Sequence, residues 1–270
     1  MCDACVIDSV RTRMLSRRAL FGGAAAATAG ALAMRPAALR AEAHGGAPVD
    51  LTHTLSADFP TWSGTSGFSA EKVADFATAG FNNYVLTVNE HTGTHIDAPL
   101  HFSEDGTSVD AIPPEQLVCP LCVVDIREKA EADPDAQVTP DDLNAWIEAN
   151  GDIPDGACVA MNSGWAEKAD GDGFRNADAD GVMHFPGFHV EAAQMMLETG
   201  AVAMAVDTLS LDHGPSQDFA THYLWLPAGR YGIECVAGLD AMPAAGGTLV
   251  VGAPKHAGGT GGPARLIGLT

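Results

Sequence analysis

Within eleven residues the chain carries His91, His95, Asp97 and His101, in the run His91-Thr-Gly-Thr-His95-Ile-Asp97-Ala-Pro-Leu-His101-Phe102. Three imidazoles and a carboxylate at that density, in a chain with ten histidines, point to a divalent cation. A four-residue gap between His91 and His95 would suit one helix face, but Thr92-Gly93-Thr94 is poor helix sequence and Pro99 would interrupt it. The segment therefore reads as a strand end turning into a loop. Gly93 lets the backbone turn so that both rings converge, and Asp97, two residues past His95, projects to the same side in extended geometry. His44, His53, His184, His189, His213 and His256 each stand alone, and loop or hydrogen-bonding roles are expected of them.

The elements that must position this run alternate short β-rich stretches with turns. The chain from Val49 to His53 opens the pattern, Tyr84–Val88 reads as a strand entering the histidine segment, and Val118–Ile126 as another. Thr139-Pro140-Asp141-Asp142 offers an N-cap, a first-turn proline and early acids, predicting a helix from about Pro140 to Ala149 that stops at Asn150-Gly151. Cys158–Met161 and Ala201–Val206 read as short buried strands, and Ala166–Gly181 has loop composition. His189–Thr199 reads as a helix with Gly200 as its C-cap. Further strands are expected around Ile233, Val236, Leu249–Val251 and Leu266–Ile267. Mixed α/β with one dominant sheet is the class this order favours.

A chain of 270 residues, 46% hydrophobic and 18% charged, can bury a sizeable core in one domain. Its 35 acidic against 14 basic residues give −21, with no basic face, which disfavours nucleic acid as a partner. The first residues stand apart: Ser16-Arg17-Arg18-Ala19-Leu20-Phe21 precedes a Gly/Ala-rich apolar run from Gly22 to Met34, and Ala41-Glu42-Ala43 offers a small-x-small cleavage site. This is the outline of a twin-arginine export signal over residues 1–43, with a mature domain over 44–270. The expectation is a periplasmic or secreted protein without stable membrane insertion after cleavage, since the apolar run is too short for a comfortable span. Such proteins cross the membrane folded, which suits a site that must be loaded with a chosen metal. Cys119-Pro-Leu-Cys122 has no second CxxC, and beside an apolar run it reads as small buried thiols rather than a zinc clip or redox pair.

The fixed positions His91, Gly93, Thr94, His95, Asp97, Pro99, His101 and Phe102 match a signature HxGTHxDxPxHF, by which the chain resembles the cyclase family of metal-dependent hydrolases, with its bacterial kynurenine formamidases and isatin hydrolases. The resemblance extends through Asp50-Leu51-Thr52, Pro60, Trp62, Ser163-Gly164-Trp165, Phe185-Pro186-Gly187 and Val206–Asp212. It continues at His222, Ile233-Glu234, Leu239-Asp240 and Gly258-Gly-Thr-Gly-Gly262-Pro263. It implies a single α/β domain, with a mixed central β-sheet or barrel-like β core flanked by helices, of the swivelling β/β/α type. It implies His91, His95 and Asp97 as ligands of a first metal, and His222 and Glu234 as further ligands. The cofactor would be Zn²⁺ or Mn²⁺, one or two per subunit. His101 would be the general acid/base, Trp62 and Phe102 substrate-pocket residues, and the protein a homo-oligomer, dimer or tetramer.

The implied reaction is hydrolysis of a C–N amide bond, in an aryl formamide or a cyclic amide or imide, by metal-activated water. Alternatives are a lactone or ester hydrolase, or a non-catalytic metal- or metabolite-binding protein on the same fold. The segment from Glu128 to Asp180 is longer than expected of a compact formamidase and lies where its loops could reshape the pocket.

Overall fold

The computed structural model describes residues 47–270; the export signal expected over residues 1–43, the expected boundary at residues 43 and 44, and His44 lie outside the described residues. The chain opens with β1 (Pro48–Asp50). A hairpin follows, made of β2 (Phe68–Ala74) and β3 (Asn83–Val88), with the short helix α1 (Phe76–Ala79) between them. Next come β4 (His95–Asp97), β5 (Val118–Asp125), α2 (Arg127–Ala132), β6 (Gln137–Val138), α3 (Pro140–Asn150), β7 (Cys158–Asn162) and β8 (Gly187–Phe188). The remainder is α4 (Val190–Leu197), β9 (Ala203–Val206), α5 (Ala220–Trp225), β10 (Tyr231–Glu234), β11 (Gly247–Gly252), β12 (Gly261–Pro263) and β13 (Arg265–Leu269). No helix among the described residues is long and apolar enough to cross a membrane.

Nine strands make one mixed, curled sheet in the order β1-β13-β11-β5-β7-β9-β10-β4-β12. Its middle, β5-β7-β9-β10, is parallel, and antiparallel strands extend it on both sides. Alternation along the central strands sorts side chains by size. Cys119, Leu121, Cys158, Ala160, Ala203 and Ala205 face a core shared with Leu249, Leu266 and Ile96, strands from both ends of the sheet. Cys122, Val124, Val159, Met161, Met204 and Val206 face Leu143 and Trp146 of α3, Ala192 and Met196 of α4, and Trp225 of α5. A curled sheet leaves little room on its inner side, and small residues fill it. The same alternation disposes of the CxxC: Cys119 and Cys122 lie on opposite faces, both thiols are free, and burial pushes them up to about 11 and about 12.

Local signals set the helix starts. Asp142 accepts hydrogen bonds from both the backbone N–H and the hydroxyl of Thr139 at 2.7 Å, and α3 stops at Gly151 with φ +91°. In α4, His189 caps the first turn by accepting from the N–H of Glu191. This helix ends at Glu198, not at Gly200. Gly200 is required for a different reason: a Cβ there would press into the backbone of Asp155 at 2.8 Å. The β2–β3 hairpin, which delivers the chain to His91, forms a separate two-stranded sheet whose second strand is exposed at every residue.

Candidate metal centre

The site forms at one edge region of the sheet, where β4 lies between β10 and β12. Antiparallel pairing sets Glu234 directly opposite His95 and Gly232 opposite Asp97, so residues from two strands share one face. The Nε2 atom of His95 lies 3.3 Å from Oδ1 of Asp97 and 3.3 Å from Oε2 of Glu234. α5 adds His222, whose Nε2 is 3.2 Å from Oε1 of Glu234 and 3.6 Å from Oδ2 of Asp97. His91 presents Nδ1 to Oδ1 of Asp97 at 2.6 Å. The chain turns between His91 and His95 as expected, with Gly93 at φ +64°.

Hydrogen bonds behind the rings fix which nitrogen points inward. His95 Nδ1–H donates to the carbonyl of Gly93 at 2.8 Å, and His222 Nδ1–H donates to Asp212 at 2.6 Å, so each turns its Nε2 to the centre. Asp212 also accepts from the N–H of Thr221, and Glu234 accepts from the N–H of Leu211 at 3.0 Å. Two buried atoms at the centre, Nε2 of His95 and Oδ2 of Asp97, have no hydrogen-bond partner. Orphaned buried atoms of this kind are costly unless something coordinates them, and imidazole plus carboxylate is the donor chemistry of a divalent cation. The residues therefore fit the metal that the sequence implied. Burial alone would raise Asp97, but the imidazoles of His222, His91 and His95 outweigh it and hold the carboxyl well below its usual range.

His101 comes from the 3₁₀ turn Pro99–Phe102 and stacks on His91 with centroids 3.8 Å apart. One of its nitrogens lies within 4.8 Å of the ligand atoms of His91 and Asp97. Burial pulls its pKa below the ordinary imidazole range, with Asp97 partly offsetting the effect. Above the centre is a pocket of about 280 Å³ with an aromatic wall. Phe102 lies 4.6 Å from the His222 ring, Phe219 5.8 Å from it, and Trp62 5.5 Å from Phe219. Phe219 was not singled out from the sequence. It adopts φ +49° at the start of α5, a conformation uncommon for a bulky residue, and this aims its ring over the site.

Every candidate site residue is thus brought together: His91, His95, Asp97, His101, His222 and Glu234 at the centre, Trp62 and Phe102 in the wall. The expectation for Glu128–Asp180 is corrected, because none of its residues lines the pocket. That segment builds α2, α3 and β7, and its Trp165 and Phe174 pack in a separate cluster with Phe59 and Phe185. It reaches the site only through residues behind the pocket: its Trp165 and Phe174 share a cluster with the lining residues Leu209 and Cys235, and the Arg175 guanidinium donates to the carbonyl of Trp62. The sequence assigns no role to Asp212, which bonds His222, to Thr260, which bonds His91 across 169 positions, or to Glu90, which holds the Thr260 hydroxyl.

Residues 49–213 match the profile of the family described as putative cyclase. An isatin hydrolase of Roseibium aggregatum is 32% identical over 194 residues, covering 68% of this chain and 73% of the relative. A kynurenine formamidase of Maricaulis maris is 26% identical over 221 residues, covering 81% and 95%. Among solved structures, isatin hydrolase A from Labrenzia aggregata bound to benzyl benzoate superposes with a TM-score of 0.78 at 34% identity, covering 83% of this chain and 93% of that one. The chain belongs to the putative cyclase family, and its curled nine-stranded sheet with flanking helices is that family's fold.

Proposed function

We propose that this chain hydrolyses the C–N bond of a small aromatic amide, with a cyclic amide of the isatin type as the leading substrate class and an aryl formamide as the second. It is a metal-dependent amidohydrolase, as its isatin hydrolase and kynurenine formamidase relatives indicate. The observation that carries the reading is the convergence of His91, His95, Asp97, His222 and Glu234 beneath an aromatic wall, with His101 beside them. A divalent cation there, Zn²⁺ or Mn²⁺, one or two per subunit, supplies polarisation of a carbonyl and water of lowered pKa. Trp62, Phe102 and Phe219 hold a planar ring and keep bulk water away from the reacting carbonyl. His101, neutral at pH 7, takes up the proton released as water adds, and returns it to the leaving nitrogen. Without that proton the tetrahedral adduct would expel hydroxide in preference to amine.

Export by the twin-arginine route is part of the proposal and rests on the leader sequence. So is a homo-oligomer, dimer or tetramer; its support is the β2–β3 hairpin region, where Phe76, Tyr84, Val85 and Leu86 are each more than half exposed. The deciding experiment is elemental analysis of protein exported in its native host, then assay of that holoprotein against isatin and N-formylkynurenine. Metal-dependent turnover of either is expected. A filled metal site with no turnover across a broad amide panel would overturn the reading.

A further inference from the structure

The Gly258-Gly-Thr-Gly-Gly262 segment runs into β12 beside β4, on the side of the ligand strand away from β10. Its threonine reaches the metal centre from behind: Oγ1 of Thr260 lies 2.9 Å from Nε2 of His91, across 169 positions of sequence. The same Oγ1 lies 2.5 Å from Oε2 of Glu90, and the backbone N–H of Thr260 also points at that carboxylate at 3.3 Å. Glu90 is held in turn by Nε2 of His256 at 2.5 Å.

Donor and acceptor capacities fix the direction of this chain. A carboxylate only accepts, so the Thr260 hydroxyl donates its single proton to Glu90. Its oxygen is then left to accept, and the His91 contact requires Nε2–H as donor. With Nε2–H committed to Thr260, Nδ1 faces Oδ1 of Asp97 at 2.6 Å, where it donates a proton until a cation takes the place of that proton and uses the Nδ1 lone pair. The glycines explain how a threonine gets so close. A Cβ at Gly261 would strike the backbone oxygen of Ile96 and lie 2.8 Å from Cε1 of His91, and one at Gly259 would collide with the His256 ring and the Glu90 carboxylate. The loop is pressed flat against the ligand it serves.

We infer that Thr260, oriented by Glu90, is a positioning residue that holds His91 as the Nε2–H tautomer with Nδ1 turned to the metal. The glycine segment is the backbone that makes this contact possible. The inference rests on the reading of His91 as a metal ligand, and its effect belongs to metal affinity rather than to the chemical step. Outer partners of metal-bound histidines set ring orientation and ligand basicity, and their loss costs about 10- to 100-fold in affinity.

The test is Zn²⁺ affinity of the full chain, measured by chelator competition, for wild type, Thr260→Ser, Thr260→Val and Glu90→Ala, with circular dichroism as the folding control. Thr260→Val should bind Zn²⁺ about 10- to 100-fold more weakly, Thr260→Ser should restore wild-type affinity, and Glu90→Ala should fall about tenfold. In the Zn²⁺-loaded wild type, long-range ¹H–¹⁵N spectra should place the His91 proton on Nε2. Wild-type affinity in folded Thr260→Val overturns the inference and leaves the metal site standing. If Thr260→Val does not fold, unchanged affinity in Glu90→Ala overturns it equally. Absence of Zn²⁺ binding by the wild type would instead sink the metal-site reading, and this inference with it.

Discussion

His95 and Glu234 face one another across the β4–β10 ladder, with Nε2 of the imidazole 3.3 Å from Oε2 of the carboxylate. The pairing of two antiparallel strands thus places a histidine and a glutamate, 139 residues apart, on the same side of one buried centre. Because their inward atoms are shielded from water, a cation bound between them stabilises the folded chain but not the unfolded one. At free metal 100-fold above Kd this amounts to about 2.7 kcal/mol, or about 5–10 °C in Tm for a domain of this size. Differential scanning calorimetry with Zn²⁺ or Mn²⁺ against chelator should show that shift in wild type. His95→Ala should abolish it, and Glu234→Gln should diminish it.

His101 separates binding from chemistry. His101→Ala should retain the metal content of wild type while kcat falls by about 10²- to 10⁴-fold, the usual contribution of a positioned acid/base. Elemental analysis and steady-state kinetics on one preparation read both. Activity surviving in this variant would refute the assigned role.

Trp62 stands at the rim, 38% exposed, against Phe219 and Phe185. Its substitution should weaken substrate binding without touching the metal. For Trp62→Ala, KM should rise about tenfold, a loss of about 1.4 kcal/mol, with kcat and metal affinity little changed.

Asp207, which is not among the pocket-lining residues, gives a pH signature of its own. Its carboxylate accepts from the Ser163 hydroxyl at 2.6 Å and from the N–H groups of Ser163 and Trp165, yet burial pushes its pKa up to about 6 from an ordinary 3.8. The folded chain therefore holds this proton more tightly than the unfolded one. The associated stability, about 3 kcal/mol, is fully present below about pH 4 and is lost as pH rises through 6. Denaturant titrations of wild type and Asp207→Asn should show the difference between them moving against wild type by that order from pH 4 to pH 7. A constant difference would exclude the effect.

Much of the centre was legible in the sequence because it is local. His95 and Asp97 sit at i and i+2 of one strand, so their convergence follows from the period of an extended chain, and Gly93 announces the turn that brings His91 alongside. The helix at Pro140–Asn150 was legible for the same reason, its start being written in Thr139, Pro140 and Asp142. The C-terminal end of α4 was not, since Gly200 is demanded by Asp155 from another segment and not by a cap. Nor could length alone say where Glu128–Asp180 would pack.

By itself, then, the sequence determined which side chains could bind a cation, the α/β class, and, through the resemblance, His222 and Glu234 as their companions. Only the tertiary structure decided the register that sets Glu234 opposite His95 and the helix that turns Phe219 over the site. It also decided that Asp212 and Thr260 would orient the ligand rings. The physical reason is that the orientation of the His91 and His222 rings depends on hydrogen-bond partners contributed from other segments of the chain. Those partners carry no local signal until the sheet curls and closes the distance between them.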